Sequence, residues 1–373
     1  MTPLARRTNS FTDPLNAPKF GGKLDRRLLI WAVAWLLFVV LAPWVAWAQT
    51  ASETALKSFS IYWENDSVTG TDQDYSNGLK LSWSRPYRLS AESRRAPGLE
   101  DWGFRHLPFV KDPSVPRAAV FSIGQFIYTP KDTDRTDLIV DDRPYAGYSF
   151  LGFGFISISD RIRHFWEFDI GVVGSWSLAE NTQNGFHDLI RTRHAKGWDH
   201  QLDNEVGLEA VYEVKWQSGF AKMSHGMGAD VIPHLSFQLG NISTSARAGA
   251  ELRFGWSLPR DFGNCPIRSG CEASLAVDQQ PGASSADAHN RFGFHFFTAV
   301  EGRAVVRDIF LDGNTFGKSH HVDKEIYVAD LMGGIAMTYG RFRAAYSLVV
   351  RTPEFKQRRD RHAFGTINVS YSY

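Results

Sequence analysis

Past residue 48 the chain has no uninterrupted apolar run of about 18 residues, the length a helix needs to cross a bilayer. It carries instead segment after segment in which apolar and polar side chains alternate with a period of two, the mark of strands. Leu79, Leu81 and Trp83 alternate with Lys80, Ser82 and Ser84. Phe342, Ala344, Tyr346, Leu348 and Val350 share one face, with Arg341, Arg343 and Ser347 on the other. Ala363, Gly365, Ile367, Val369, Tyr371 and Tyr373 alternate with Thr366, Asn368, Ser370 and Ser372. Alternation alone fits a soluble sandwich with its apolar face inward. It fits equally a membrane barrel, whose apolar face meets lipid and whose polar face lines the lumen.

The N-terminal residues and the chain ending help to separate them. Lys23, Arg26 and Arg27 precede the apolar run Leu28 to Leu41, Pro43 breaks it, and Ala46-Trp47-Ala48 has the small-x-small pattern of a signal-peptidase site. Residues 1–48 therefore read as an N-terminal extension and cleaved signal peptide, and 49–373 as one domain. The alternative, an uncleaved anchor, is opposed by the shortness of the run and the cleavage pattern directly after it. An exported chain without a spanning helix can sit in a membrane only as a closed barrel, because lipid offers no partners to backbone groups. The aromatic content, 14% with 27 Phe, 12 Trp and 12 Tyr, suits girdles at two interfaces. A net charge of +1 gives no electrostatic basis for nucleic-acid binding. The sequence given ends inside an alternating segment on Tyr373, which resembles the C-terminal signal of outer-membrane barrels.

The expected fold is all-β, a closed antiparallel transmembrane barrel of about twelve strands: roughly 58–64, 78–86, 119–128, 147–159, 164–175, 206–217, 229–240, 244–257, 291–305, 325–340, 341–352 and 363–373. Tight connections fall at 159–164, 240–244 and 340–342. Long ones fall at 87–118, 129–146, 176–205, 258–290 and 306–324. Barrels place short turns on the periplasmic side and long loops outside. Within 176–205, Phe186, Leu189 and Ile190 have i, i+3, i+4 spacing, so a short helix is expected in that loop. Cys265 and Cys271 lie near each other in a Gly/Pro-containing stretch. They form either a small local disulfide or two free thiols.

Three clusters could carry chemistry. Glu64-Asn65-Asp66-Ser67 and Gly70 to Gly78 gather oxygen donors suited to a hard cation such as Ca²⁺, although Asp, Asn and Gly are also ordinary turn formers and EF-hand spacing is lacking. Gln183 to His187 and Gly197 to Leu202 place histidines on a long loop, where one could act as a general base; a single His among 12 is weak support. Asp141 to Tyr148 offers Arg143 to a carboxylate or a phosphate. No Gly-x-Ser-x-Gly elbow occurs, which argues against a hydrolase built on that turn.

Taken in order, the segments WENDS, GTDQDYSNG, IYTP, DDRPYAGY, QNGFHDLI, GWDHQL and FLDGN resemble the lipid A 3'-O-deacylase family of outer-membrane enzymes, over about Ser58 to Tyr373. The resemblance implies a 12-stranded barrel with its site near the extracellular rim, where Ca²⁺ polarises an ester carbonyl and a His activates water. It implies that Asn65 and Asp66 match the family's Asn-Asp pair, with both residues at the metal and Asn65 also catalytic. Ser76 stands where the family can have Thr, and is read as a positioning hydroxyl rather than a nucleophile. His187 matches the catalytic His. Six residues later a family pattern has a carboxylate where this chain has Arg193, so Asp188, Asp199 or Glu205 is left to replace it. Arg135 and Arg143 are expected to receive phosphates of a lipid A or lipopolysaccharide substrate, reached laterally among outer-membrane lipids by a monomer. A non-catalytic channel or structural barrel, and a related phospholipase, are the alternative functions.

Overall fold

The computed structural model describes residues 57–66, 74–88, 98–159, 161–264, 272 and 292–373, with the side chains of 74–76 outside the description. The signal segment and the Cys265/Cys271 pair lie outside these residues. The strands are β1 (Ser58–Asn65), β2 (Asp74–Pro86), β3 (Arg117–Thr129), β4 (Ala146–Ile158), β5 (Ile162–Val173), β6 (Glu205–Trp216), β7 (Ser218–Lys222), β8 (Met227–Gly240), β9 (Ser243–Trp256), β10 (Phe292–Asp308), β11 (Tyr327–Tyr339), β12 (Phe342–Arg351) and β13 (His362–Ser372). Each pairs antiparallel with its neighbours, and β1 pairs with β13. β6 and β7 both pair with β8, β6 through Glu209 to Lys215 and β7 through Ser218 to Lys222. They are thus one strand interrupted at Gln217. The result is a closed antiparallel barrel of 12 strands. No described helix is long and apolar enough to cross a membrane.

The alternation runs polar inward and apolar outward, the reverse of a soluble sandwich. On β2 Lys80 is 1% exposed while Leu79 is 44% and Trp83 36% exposed. A lysine could not be buried so in an apolar core, because a buried charge must be paired. In the lumen Lys80 donates to Glu167 at 2.8 Å, Ser122 donates to the same carboxylate at 2.9 Å, and Arg163 donates to Glu213 at 2.7 Å. The chain between β9 and β10 enters this space. Phe262 packs among Ala118, Val120, Ile156, Ile158 and Phe165. Asp261 pairs with Arg253, Asn264 accepts from Arg343 at 2.7 Å, and Glu272 accepts from Tyr62 at 2.9 Å. Burial opposes ionisation of Asp261, but Arg253 and Arg343 outweigh it and hold its pKa low, at about 2. Toward the other end the lumen is closed by an apolar cluster that includes Tyr148, Phe150, Leu202, Ile242, Ile309 and Phe310.

Strand parity fixes which connection lies where, and it departs from the simple length rule. At the end where β1 finishes, here the far end, lie 66–73, 130–145, 174–204, 309–326 and 352–361, together with the tight turn between β8 and β9. At the near end, beside three short turns, the long connections from β2 to β3 and from β9 to β10 leave and return. The second supplies the plug. The first contains an unexpected helix, α1 (Leu99–His106), packed on the outside of the wall, where Phe104 meets Tyr87 and Phe155. Gly103 permits this approach: a Cβ there would sit 2.1 Å from the Phe155 ring.

Candidate active site

The expected loop helix is present as α2 (Ala179–Ile190). Its buried residues are Ala179, Gln183 and His187, one per turn, whereas Leu189 is 75% exposed. Of the apolar residues whose i, i+3, i+4 spacing reveals the helix in the sequence, Phe186 and Ile190 are half-buried and only Leu189 is turned away from the protein.

The reason lies in where α2 sits. Outward-facing residues at the far end of the first four strands form a continuous row through the register Asn65↔Asn77, Asn77↔Ile127 and Ile127↔Gly147. The α2 segment lies on this row. A Cβ on Gly147 would fall 2.1 Å from the Ala179 Cβ, so only glycine allows the approach. Ile127 packs with Tyr145, Ala179, Ala195 and Trp198. Outward-facing Gln125 and Ser149 both donate to the Ser177 carbonyl at 2.7 Å. The site is thus a cleft between helix and outer wall, not a chamber inside the lumen. Lipid would bathe the exposed Leu189 of the helix.

Within the cleft, His187 Nδ1 is 2.6 Å from the Arg193 carbonyl oxygen. A carbonyl can only accept, so Nδ1 carries the proton and the basic lone pair of the neutral ring is on Nε2. The backbone of residue 193 thereby does what a carboxylate side chain would do. The Arg193 side chain instead turns out to Asp134 at 3.1 Å, and Lys196 reaches the same carboxylate at 3.2 Å. Hydrogen bonds from Lys196 and Arg193 hold the Asp134 carboxyl below its usual range. None of the three carboxylates considered as replacements orients His187 Nδ1. Asp188 pairs with His194 at 2.7 Å, Asp199 is exposed, and Glu205 accepts from Asn241 at 2.7 Å and from the Thr315 backbone at 2.8 Å.

Asn65 and Asp66 are both buried at the end of β1. Asn65 belongs to the same outward row as Ile61 and Trp63, so its burial means that the row is covered there. Ser76 lies on β2 at a register shift between Tyr75 and Asn77, as the extra residue of a bulge, a device that re-aims a strand beside a site. Two further residues emerge. The Asn77 Oδ1 and the Gln183 Nε2 are buried without a hydrogen-bond partner among the described residues. Asn77 gives no periodic signal, and Gln183 reads as one polar residue of a surface helix. Among the described residues no group of three or more His, Cys, Asp or Glu side chains could hold a metal. The oxygen donors of Asp66, Asn65 and Asn77 nonetheless suit Ca²⁺, which takes amide carbonyls beside carboxylates.

The two expected phosphate ligands part company. Arg135 is exposed and pairs with Asp137. Arg143 is 1% exposed, donates to Glu354 at 2.7 Å, and lies over the Tyr128 and Phe355 rings. A phosphate could reach Arg143 only by displacing a carboxylate from a buried ion pair.

The model of one protein family, described as outer membrane protein LpxR, matches residues 32–373. LpxR from Salmonella typhimurium is similar in structure, with a TM-score of 0.66 and 20% identity, over 85% of this chain and 100% of that chain. The β-domain of the Bordetella autotransporter BrkA is a more distant barrel, with a TM-score of 0.40 and 8% identity, over 85% of this chain and 98% of that one. No curated protein matches the chain in sequence.

Proposed function

Because the chain belongs to the outer membrane protein LpxR family, we propose that it is an outer-membrane ester hydrolase removing an acyloxyacyl chain from the 3' position of lipid A. One observation carries the reading: a histidine whose Nδ1 is fixed by a carbonyl lies in a cleft on the outer wall of the barrel. The long 130–145 and 174–204 connections support a far end that faces the exterior. The cleft is then within reach of lipid in the outer leaflet.

His187 Nε2 takes a proton from water as the water attacks the ester carbonyl, the resulting charge is steadied by the Nδ1–H bond to the Arg193 carbonyl, and the proton passes to the departing alkoxide as the ester C–O bond breaks, releasing the fatty acid and a free hydroxyl. Asp66, with Asn65 and Asn77, would hold Ca²⁺, which when bound offsets the negative charge developing on the carbonyl oxygen. Gln183, one turn before His187, has an amide nitrogen able to donate to the ester. Ser76 orients water or substrate and does not attack. A passive channel is the weaker reading, since Phe262, Glu272 and the ion pairs around them fill the lumen. A phospholipase would use the same residues, and product analysis separates the two.

The test is mass spectrometry of lipid A from cells making the protein or its His187→Ala variant, with heat-modifiable gel mobility as the check of folding. His187→Ala should lose about 10²–10⁴-fold in rate while remaining folded. Chelation should stop turnover, and Ca²⁺ should restore it better than Mg²⁺. Rapid-quench mass spectrometry should find no acyl adduct on Ser76. Activity retained in folded His187→Ala, or in excess chelator, would sink the corresponding part of the mechanism.

A further inference from the structure

Most outward positions of the wall carry large apolar side chains. On β9 and β10 Leu252, Phe254, Phe296 and Val300 are all exposed. Nearer the far end this changes on three adjacent strands. Two outward rows, Ala248↔Gly302↔Ala329 and Ala246↔Ala304↔Tyr327, put small residues side by side. The outcome is a recess of about 700 Å³ on the outer face, walled by Leu235 and Tyr327. That volume is in the range of sites for drug-sized ligands. Gly302 in its floor is not demanded by the backbone. It has no positive φ, and a Cβ there would meet nothing nearer than the Ala248 carbonyl at 4.0 Å. What its missing side chain does is keep the recess open.

A second feature lies above the recess. The 352–361 connection carries Lys356, Arg358, Arg359 and Arg361, and Arg358 itself lines the rim. The acidic residues nearby are Glu325, also at the rim, Asp360, which pairs with Lys131 at 3.5 Å, Asp323, which pairs with Lys356 at 3.8 Å, and Glu354, which Arg143, Arg303 and Arg351 hold. Arg358 donates to the Asp360 carbonyl at 3.1 Å, and Arg359 and Arg361 are exposed, so the edge is cationic against the carboxylate of Glu325. An apolar trough under a cationic edge is complementary to a phosphorylated, multiply acylated lipid: a chain fills the trough, and phosphate meets arginine. In lipid, an unfilled trough forfeits van der Waals contact along its floor.

We infer that this recess is a second, non-catalytic site for a lipid A-type phosphoglycolipid. By strand order it lies about half way round the barrel from the β3–β4 wall that carries α2, so it is not part of the cleft of His187. The inference shares with the functional reading only the outward orientation of the far end, not its chemistry.

The experiment places a p-benzoylphenylalanine photoprobe in place of Tyr327, in the recess, or of Val206, an exposed outward residue at the same end of β6. Full-length folded protein in nanodiscs containing lipid A and phosphatidylcholine is irradiated in excess chelator, so capture does not depend on turnover. Capture of lipid A at position 327 should exceed that at 206 by about tenfold, equivalent to two buried methylenes. Gly302→Phe or, should that variant fail to fold, Ala304→Leu should abolish the excess. Arg358→Gln with Arg359→Gln should lower lipid A capture while leaving phosphatidylcholine capture unchanged. Equal capture at the two positions, capture indifferent to filling of the recess, or equal preference for phosphatidylcholine would each overturn the proposal.

Discussion

His187 and Arg193 are six positions apart and meet through a ring nitrogen and a backbone carbonyl. The carbonyl is present whatever side chain residue 193 carries. An arginine at a position where a carboxylate would be expected therefore costs the base nothing. Arg193→Ala should leave turnover within about twofold of the parent, because it removes only an exposed, solvent-screened ion pair to Asp134. Initial rates of lipid A deacylation check this. A loss near that of His187→Ala would mean that the guanidinium itself acts. The motif around His187 was legible in the sequence because it is contiguous. Its orienting partner was not, since a main-chain oxygen leaves no trace in residue identity. Which of the two partners open to Arg143, a carboxylate or a phosphate, it meets in the fold was not legible for a related reason. Its partner Glu354 is 211 residues away, and nothing local announces that pairing.

At the level of elements, all twelve strands were readable, because lipid outside and polar groups inside force a strict period of two. The interruption at Gln217 was not, as β7 is exposed along its whole length and Gly219 has a positive φ. Parity, not length, decided which connections face which side, and α1 was missed because it packs on the outer wall near the near end. α2 was found through the spacing of Phe186, Leu189 and Ile190, whereas its buried face is the modest line Ala179, Gln183 and His187. That face docks only because residue 147 lacks a side chain. Gly147→Leu should displace the helix and cut activity by at least about tenfold while the barrel still folds, an effect worth about 1.4 kcal/mol or more. Limited proteolysis within 179–195, measured beside deacylation, would show it. An active variant with a protected helix would refute the docking argument.

Across the whole molecule, Glu354 gathers Arg143 at 2.7 Å, Arg303 at 2.9 Å and Arg351 at 3.2 Å, tying the 130–145 and 352–361 connections to the wall at β10 and β12. Burial opposes its ionisation, but Arg351, Arg143 and Arg303 overcome that and hold its carboxyl well below the usual range. A carboxyl depressed in the folded state contributes stability that is full above its unfolded pKa and fades as pH falls through the folded one. This clamp should therefore hold to below about pH 4. Glu354→Gln, which takes the buried carboxylate from Arg143 and Arg303 while Arg351 keeps Asp330, should cost about 3–5 kcal/mol at neutral pH. Both effects are read from the temperature at which the heat-modifiable band converts. The row Asn65, Asn77, Ile127, Gly147 has one further consequence, in time rather than space. Four strands supply it, and none of them holds it alone. A chain still in transit owns every residue of the cleft but not the cleft, so the proposed lipid-cutting activity should be silent until the wall has assembled. Turnover during biogenesis should rise with the folded gel band and not with total protein, and a chain caught before insertion should be harmless to the lipids it passes.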